Sequence, residues 1–212
     1  MTWSYIAKAN GSSTATSFTP ASWPTGVAEG DLVVFCQMFA PDSIPGEPTT
    51  TTTGWIKQNS YGGAARFMWT RYSAAQSLPT LSNSTSATVT YYLLAFRATA
   101  QVQVGKNFGV DSVGGSAPVA TAYTTATPET LIVLFGSIPG DQGVNWAQEG
   151  SFTSVVNITG AGSGDANAPN IFIGYRFVSS PTAIAAMRAY LTVNRYYLLV
   201  AAEKEFNDLF HF

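Results

Sequence analysis

Tyr91-Tyr-Leu-Leu-Ala-Phe96 and Tyr196-Tyr-Leu-Leu-Val-Ala201 are the two stretches on which the fold turns. Each is a short, unbroken apolar run rich in aromatic and branched side chains. Such runs, bounded by Gly, Pro, Ser and Asn clusters, read as strands. A second aromatic run precedes each of them, Arg66-Phe-Met-Trp-Thr-Arg-Tyr72 in one case and Ile171-Phe-Ile-Gly-Tyr-Arg-Phe177 in the other. Arg176 follows Arg71 by 105 positions, and Tyr196 follows Tyr91 by the same 105. A constant offset of this kind marks two copies of one pattern.

The pattern extends backward in both halves. Glu29-Gly-Asp-Leu-Val-Val-Phe35 leads through a Pro/Gly loop to Gly54-Trp55, and Pro128-Glu-Thr-Leu-Ile-Val-Leu-Phe135 leads through Pro139-Gly-Asp141 to Asn145-Trp146. Strands are predicted at 32–38, 66–73, 87–96, 130–137, 170–178 and 189–202, punctuated by Gly, Pro, Ser and Asn clusters that supply turn dihedrals. The segment 181–191 carries helix formers after Pro181, but its counterpart at 78–89 has none, so it is read as turn plus strand. The expected fold class is all-β, an antiparallel, jelly-roll-like β-sandwich. Its two similar halves, about 20–98 and 118–202, interleave in a single domain spanning 1–202, because neither half covers its own apolar face. Two successive small β domains, divided between Ala98 and Ala117, are the competing architecture.

Residues 203–212, Glu-Lys-Glu-Phe-Asn-Asp-Leu-Phe-His-Phe, differ in kind. Phe206, Leu209 and Phe210 fall at helical spacing, and together with Phe212 they form an apolar tail that is costly to leave in water. It is expected to dock, either on its own subunit or on a neighbour.

Composition limits the chemistry. Of 212 residues 46% are hydrophobic and only 10% charged, against about a quarter charged in ordinary soluble domains, so Ser, Thr, Asn, Gln and Gly must coat the surface. The net charge is −2 and no Lys/Arg cluster exists, which argues against nucleic acid as a partner. No apolar run approaches the ~20 residues of a membrane helix, and Met1-Thr-Trp-Ser-Tyr-Ile lacks a basic n-region. Synthesis in the cytoplasm, with retention there or release by lysis, is expected.

Cys36 is the lone cysteine and His211 the lone histidine, so disulfide frameworks and most imidazole-based catalytic or zinc sites are not expected. An enzyme without His would most plausibly be a glycoside hydrolase with paired carboxylates, for which Asp42, Glu47, Asp141 and Glu149 are the loop candidates. The loop 160–165 offers a single carboxylate, Asp165, where calcium wants several oxygens. No metal or cofactor is therefore expected. Trp55 and Trp146 occupy equivalent repeat positions; a shared packing role is the first reading and a pair of sugar-stacking platforms the second. The sequons at Asn10, Asn83 and Asn157 require a secretory route that the N-terminus does not signal.

The order Gly26-Val-Ala-Glu-Gly-Asp-Leu-Val-Val-Phe35, a Pro-rich loop, Gly54-Trp55, Arg66-Phe-Met-Trp-Thr-Arg-Tyr-Ser73 and Tyr91-Tyr-Leu-Leu-Ala-Phe-Arg97, followed by a degenerate second copy, resembles a group of tailed-bacteriophage virion structural proteins. Phe96-Arg97 stands where that group often has Tyr-Arg, and Ala98 replaces the following Gly. The resemblance implies a β-sandwich head decoration or minor capsid protein, or a tail accessory. It implies a homo-oligomer assembled in the host cytoplasm and carried in the virion, with other capsid or tail proteins as partners and no catalytic residues. A lectin-like module binding host-surface glycan is the alternative expectation.

Overall fold

In the computed structural model, strand β3 (Leu32–Phe39) and strand β8 (Val89–Ala98) lie antiparallel, with Leu32 opposite Phe96 and Phe39 opposite Val89. Leu32, Val33, Val34, Phe35, Cys36 and Gln37 are all buried, as are Tyr91 through Phe96. Both faces of these two strands are out of water, which is why their sequences run apolar instead of alternating. The structure describes residues 3–39, 49–50, 52–61, 65–82, 88–98, 103–110, 119–120, 123–124, 130–139, 144–147, 152–158, 169–180, 183–184, 187–191 and 200–207. Among them there is no helix, and every strand pairing is antiparallel.

The chain divides into two compact units, Trp3–Thr99 and Ala100–Phe212. The first contains β1 (Trp3–Ser13), β2 (Ser17–Phe18), β3, β4 (Thr49–Thr50), β5 (Ile56–Tyr61), β6 (Ala65–Arg71), β7 (Leu81–Ser82) and β8. They form a five-stranded sheet ordered β1-β8-β3-β6-β5 and a three-stranded sheet ordered β2-β7-β4. One core joins the two sheets: Val33 and Phe35 of β3, Met68 of β6 and Val89, Tyr91, Leu93 and Ala95 of β8 pack with Phe18 of β2, Leu81 of β7 and Trp55. The aromatics are arranged pairwise, Tyr91 stacking on both Phe18 and Phe35 with ring centroids 5.5 and 6.2 Å apart. Gly11 lies opposite Tyr91 across β1 and β8, and a Cβ there would run into the Tyr91 hydroxyl. That close approach lets Tyr91 Oη accept a hydrogen bond from Ala21 N at 3.3 Å.

The second unit contains β9 (Gln103–Val110), β10 (Val119–Ala120), β11 (Tyr123–Thr124), β12 (Thr130–Pro139), β13 (Val144–Ala147), β14 (Thr153–Ile158), β15 (Pro169–Val178), β16 (Ala183–Ile184), β17 (Met187–Leu191) and β18 (Val200–Asn207). Its five-stranded sheet is ordered β9-β18-β12-β15-β14 and its three-stranded sheet β10-β17-β13, with β11 and β16 paired separately. Leu131, Ile132 and Val133 of β12 and Ile171, Phe172 and Ile173 of β15 are all at 0% exposure, so these central strands also bury both faces.

All the described strand pairings stay within one or the other unit. The break after Thr99 falls in the 98–117 stretch of the competing architecture. Residues 203–207, expected in a tail with helical spacing, belong to β18, where Phe206 faces Leu131 on one side and Val104 on the other. Five to eight residues fit periods of 2 and 3.6 almost equally well. Pairing decides, because without β18 the N–H and C=O groups of β12 that point away from β15 would lack partners. The offset of 105 also fails at this strand: Arg71 and Phe96 both face Leu32, whereas Arg176 faces Ile132, which pairs with Glu205 where the offset calls for Ala201. Two register irregularities along β18 and β9 accompany that shift.

Three buried polar groups give measurable consequences. Burial pushes the Cys36 thiol well above its ordinary value of 9.0 and the Tyr92 hydroxyl above 10.0. Both stay protonated in the folded chain while the unfolded chain releases their protons, so their stabilisation is complete below about pH 9 and is lost as pH rises. Stability against urea is expected to fall from pH 8 to pH 10.5, Cys36 contributing at most ~1.4 kcal/mol per pH unit, and Cys36→Ala should flatten that slope. An identical slope in the variant would refute the assignment. Gln37 sits at 0% exposure with neither amide atom hydrogen-bonded. Gln37→Met, nearly the same volume without the polar atoms, is expected to raise stability by about 1 kcal/mol in chemical denaturation.

Candidate functional site

The turn before β3 is where the first unit's sequence motifs meet. Gly26 and Gly30 adopt φ of 80° and 85°, the left-handed region where a glycine avoids strain. Between them the chain doubles back, with Val27 N donating to Pro24 O at 3.3 Å and Asp31 N to Ala28 O at 3.0 Å. The Asp31 carboxylate, 2% exposed, closes this turn by accepting Ala28 N at 2.8 Å. Arg97, at the end of β8, reaches it bidentately: Nε donates to Oδ1 and Nη2 to Oδ2, both at 2.8 Å, and Nη2 also donates to Gly26 O at 3.1 Å. The hydrogen bond and charge of Asp31 push the Arg97 guanidinium further above its already high range. On the far side Tyr72 exchanges backbone hydrogen bonds with Asp31 and Gly30 at 2.8 and 2.9 Å, and Glu29 accepts Ala74 N at 3.0 Å. One turn thereby ties β3, β6 and β8 together.

A second feature lies between the loop leading into β5 and the loop leading from β6 to β7. Gly54 has φ of 88°, and a Cβ there would collide with Gln76 Oε1. Gln76 Nε2 donates to Thr53 O at 2.9 Å and to Ser77 O at 3.1 Å. Trp55 Nε1 donates to Ser77 O at 3.0 Å, and Thr80 N donates to Thr52 Oγ1 at 2.8 Å. Thr70 Oγ1 donates to Gly54 O at 2.7 Å from below. The two loops are therefore stitched together, and between them is an open groove of about 550 Å³ whose lining includes Thr53, Ser73, Gln76, Ser77 and Leu78.

The sequence candidates are distributed as follows. Trp55 is 8% exposed, with Trp23 stacked parallel to it at 5.9 Å and Phe35 edge-on at 6.3 Å. Its contacts are those of a packing residue, and no ring face is left for a sugar. Trp146 is in β13 opposite Ala189, and the structure describes no more of it than this pairing. Phe206 is in β18; Leu209, Phe210, Phe212 and His211 lie outside the described residues, as do Asp42, Glu47, Asp141, Glu149 and Asp165. Asn10 and Asn157 are exposed strand positions, and Asn83 lies outside the described residues. Among the described residues no three His, Cys, Asp or Glu side chains gather as metal ligands.

Sequence reasoning missed Asp31, Arg97 and Gln76 as structural centres. The first two were legible only as members of a motif, since 66 positions separate them. Gln76 carries no sequence signal at all. No protein-family model, curated protein or solved structure matches the chain.

Proposed function

We propose that this chain is a structural protein of a tailed-bacteriophage particle, built from two similar β-sandwich halves and acting through protein–protein contacts rather than catalysis. The observation that carries the reading is where the phage-like motif residues fall. Gly26, Gly30 and Asp31 make the turn that Arg97 locks, Gly54 and Trp55 make the stitched loop, and Val33, Phe35, Tyr91 and Leu93 fill the core. Motif residues placed in this way point to a scaffold rather than to a reaction. The matching strand orders, β1-β8-β3-β6-β5 and β9-β18-β12-β15-β14, support the reading of two similar halves, and the core that joins two sheets in the first unit supports a sandwich.

In this reading the residues after β18, with Leu209, Phe210 and Phe212, dock on a capsid or tail protein, and many copies are held symmetrically. The test is mass spectrometry of purified particles produced from the genome that encodes the chain, for the full chain and for one ending at Asn207. The full chain is expected at stoichiometric abundance and the shortened chain is expected to be absent. Absence of the full chain would reject the virion reading, and full incorporation of the shortened one would reject docking through residues 208–212.

A further inference from the structure

We infer that the groove between the 52–55 and 73–80 loops is a binding site for an uncharged saccharide. The inference is independent of the virion reading. None of the nine lining residues is charged, and Thr, Ser and Gln dominate them. Both amide hydrogens of Gln76 are committed to the carbonyls of Thr53 and Ser77, which fixes the side chain and leaves its Oε1 as an oriented acceptor. Thr53, Ser73 and Ser77 are in the same lining, and among the described residues only their backbone carbonyls, not their hydroxyls, enter hydrogen bonds. An acceptor set among hydroxyls that both donate and accept matches the vicinal hydroxyls of a pyranose, each of which does the same. Leu78 and Ala75 supply apolar contact for a sugar's C–H face.

The size agrees, since ligand clefts run from about 300 to 1,000 Å³. Because the loops are already cross-linked by Gln76, Trp55 and Thr52, little ordering is needed on binding. An extended peptide fits less well, because strand addition needs an unpaired strand edge and the groove is made by loops. With no aromatic platform in the lining, a dissociation constant of about 1 mM is expected.

The test is a titration of the isotope-labelled full chain, followed by amide NMR, with neutral oligosaccharides of glucose, galactose, mannose and N-acetylglucosamine. At least one should give saturable shifts confined to residues 52–55 and 73–80. Thr53→Val and Ser77→Ala, both at exposed positions, should each weaken that binding about three- to tenfold while the melting temperature stays unchanged. No saturable shift with any of the four sugars would overturn the inference. So would shifts elsewhere, affinity indifferent to both variants, or tighter binding of oligogalacturonate than of its neutral counterpart. A proline-rich peptide moving the same amides when no sugar does would assign the groove to a peptide instead.

Discussion

A chain ending at Ala202 is expected to lose the folded state of its second unit while the first stays folded. The truncation removes residues 203–207, which pair with Leu131 through Leu134 on one side and with Gln103 through Phe108 on the other. Because β18 lies between β12 and β9, losing five of its eight residues detaches most of β9 and leaves the 131–134 stretch of β12 as an edge. Leu131, Ile132 and Val133, all at 0% exposure, would then border an unpaired row of backbone groups, an arrangement prone to aggregation. In calorimetry about half of the unfolding enthalpy should disappear, since enthalpy scales with the number of folded residues. Limited proteolysis should leave a resistant fragment close to Trp3–Thr99. A chain ending at Asn207 keeps every described pairing and should unfold like the full chain. If the chain ending at Ala202 retains the full enthalpy, β18 is not a central strand. The same comparison explains why particle incorporation must be tested with the shorter deletion: removing 203–212 together would mix docking with folding.

The strands that sequence reasoning located are those buried on both faces. Residues 32–38, 87–96 and 170–178 appear as Leu32–Phe39, Val89–Ala98 and Pro169–Val178, within two residues at each end. A doubly buried strand must be apolar throughout, and an apolar run bounded by Gly and Pro has few other readings. The strands at the sheet edges escaped notice. β1, Trp-Ser-Tyr-Ile-Ala-Lys-Ala-Asn-Gly-Ser-Ser, alternates between intermediate and exposed positions along most of its length and carries little apolar signal. β5 and β14 are similarly polar and are held mainly by one neighbour's backbone. Of the strand expected over 189–202, residues 189–191 belong to β17 and 200–202 to β18, while 192–199 lie outside the described residues. The apolar pattern over 189–202 repeats that of the first half, whereas β18 is set by fitting β12 and β9 together, a long-range condition that no local pattern encodes. The groove beside Trp55 was half legible: the tryptophan marked the place, but the polar side chains that shape it lie about twenty positions further on.

Asp31→Ala is expected to destabilise the first unit by about 2–4 kcal/mol. The carboxylate is 2% exposed and accepts three hydrogen bonds, one from Ala28 N and two from Arg97. Removing it takes away two charge-assisted bonds, which are roughly twice as strong as neutral ones, and strands the Ala28 N–H in a part-buried turn. The guanidinium does not become a stranded charge, because its side chain is 45% exposed and can turn to water. That escape keeps the loss toward the lower end of what breaking a fully buried pair costs. The damage spreads along the chain, since this turn also carries the backbone bonds from Gly30 and Asp31 to Tyr72 that fasten β3 to β6. Once Asp31 is gone, Arg97→Met should add little, whereas in the native background it should be plainly destabilising; such non-additivity is the signature of one shared interaction. A double-mutant cycle by urea unfolding measures it. Two strictly additive losses would mean that Asp31 and Arg97 act separately and that the turn closes without their pairing.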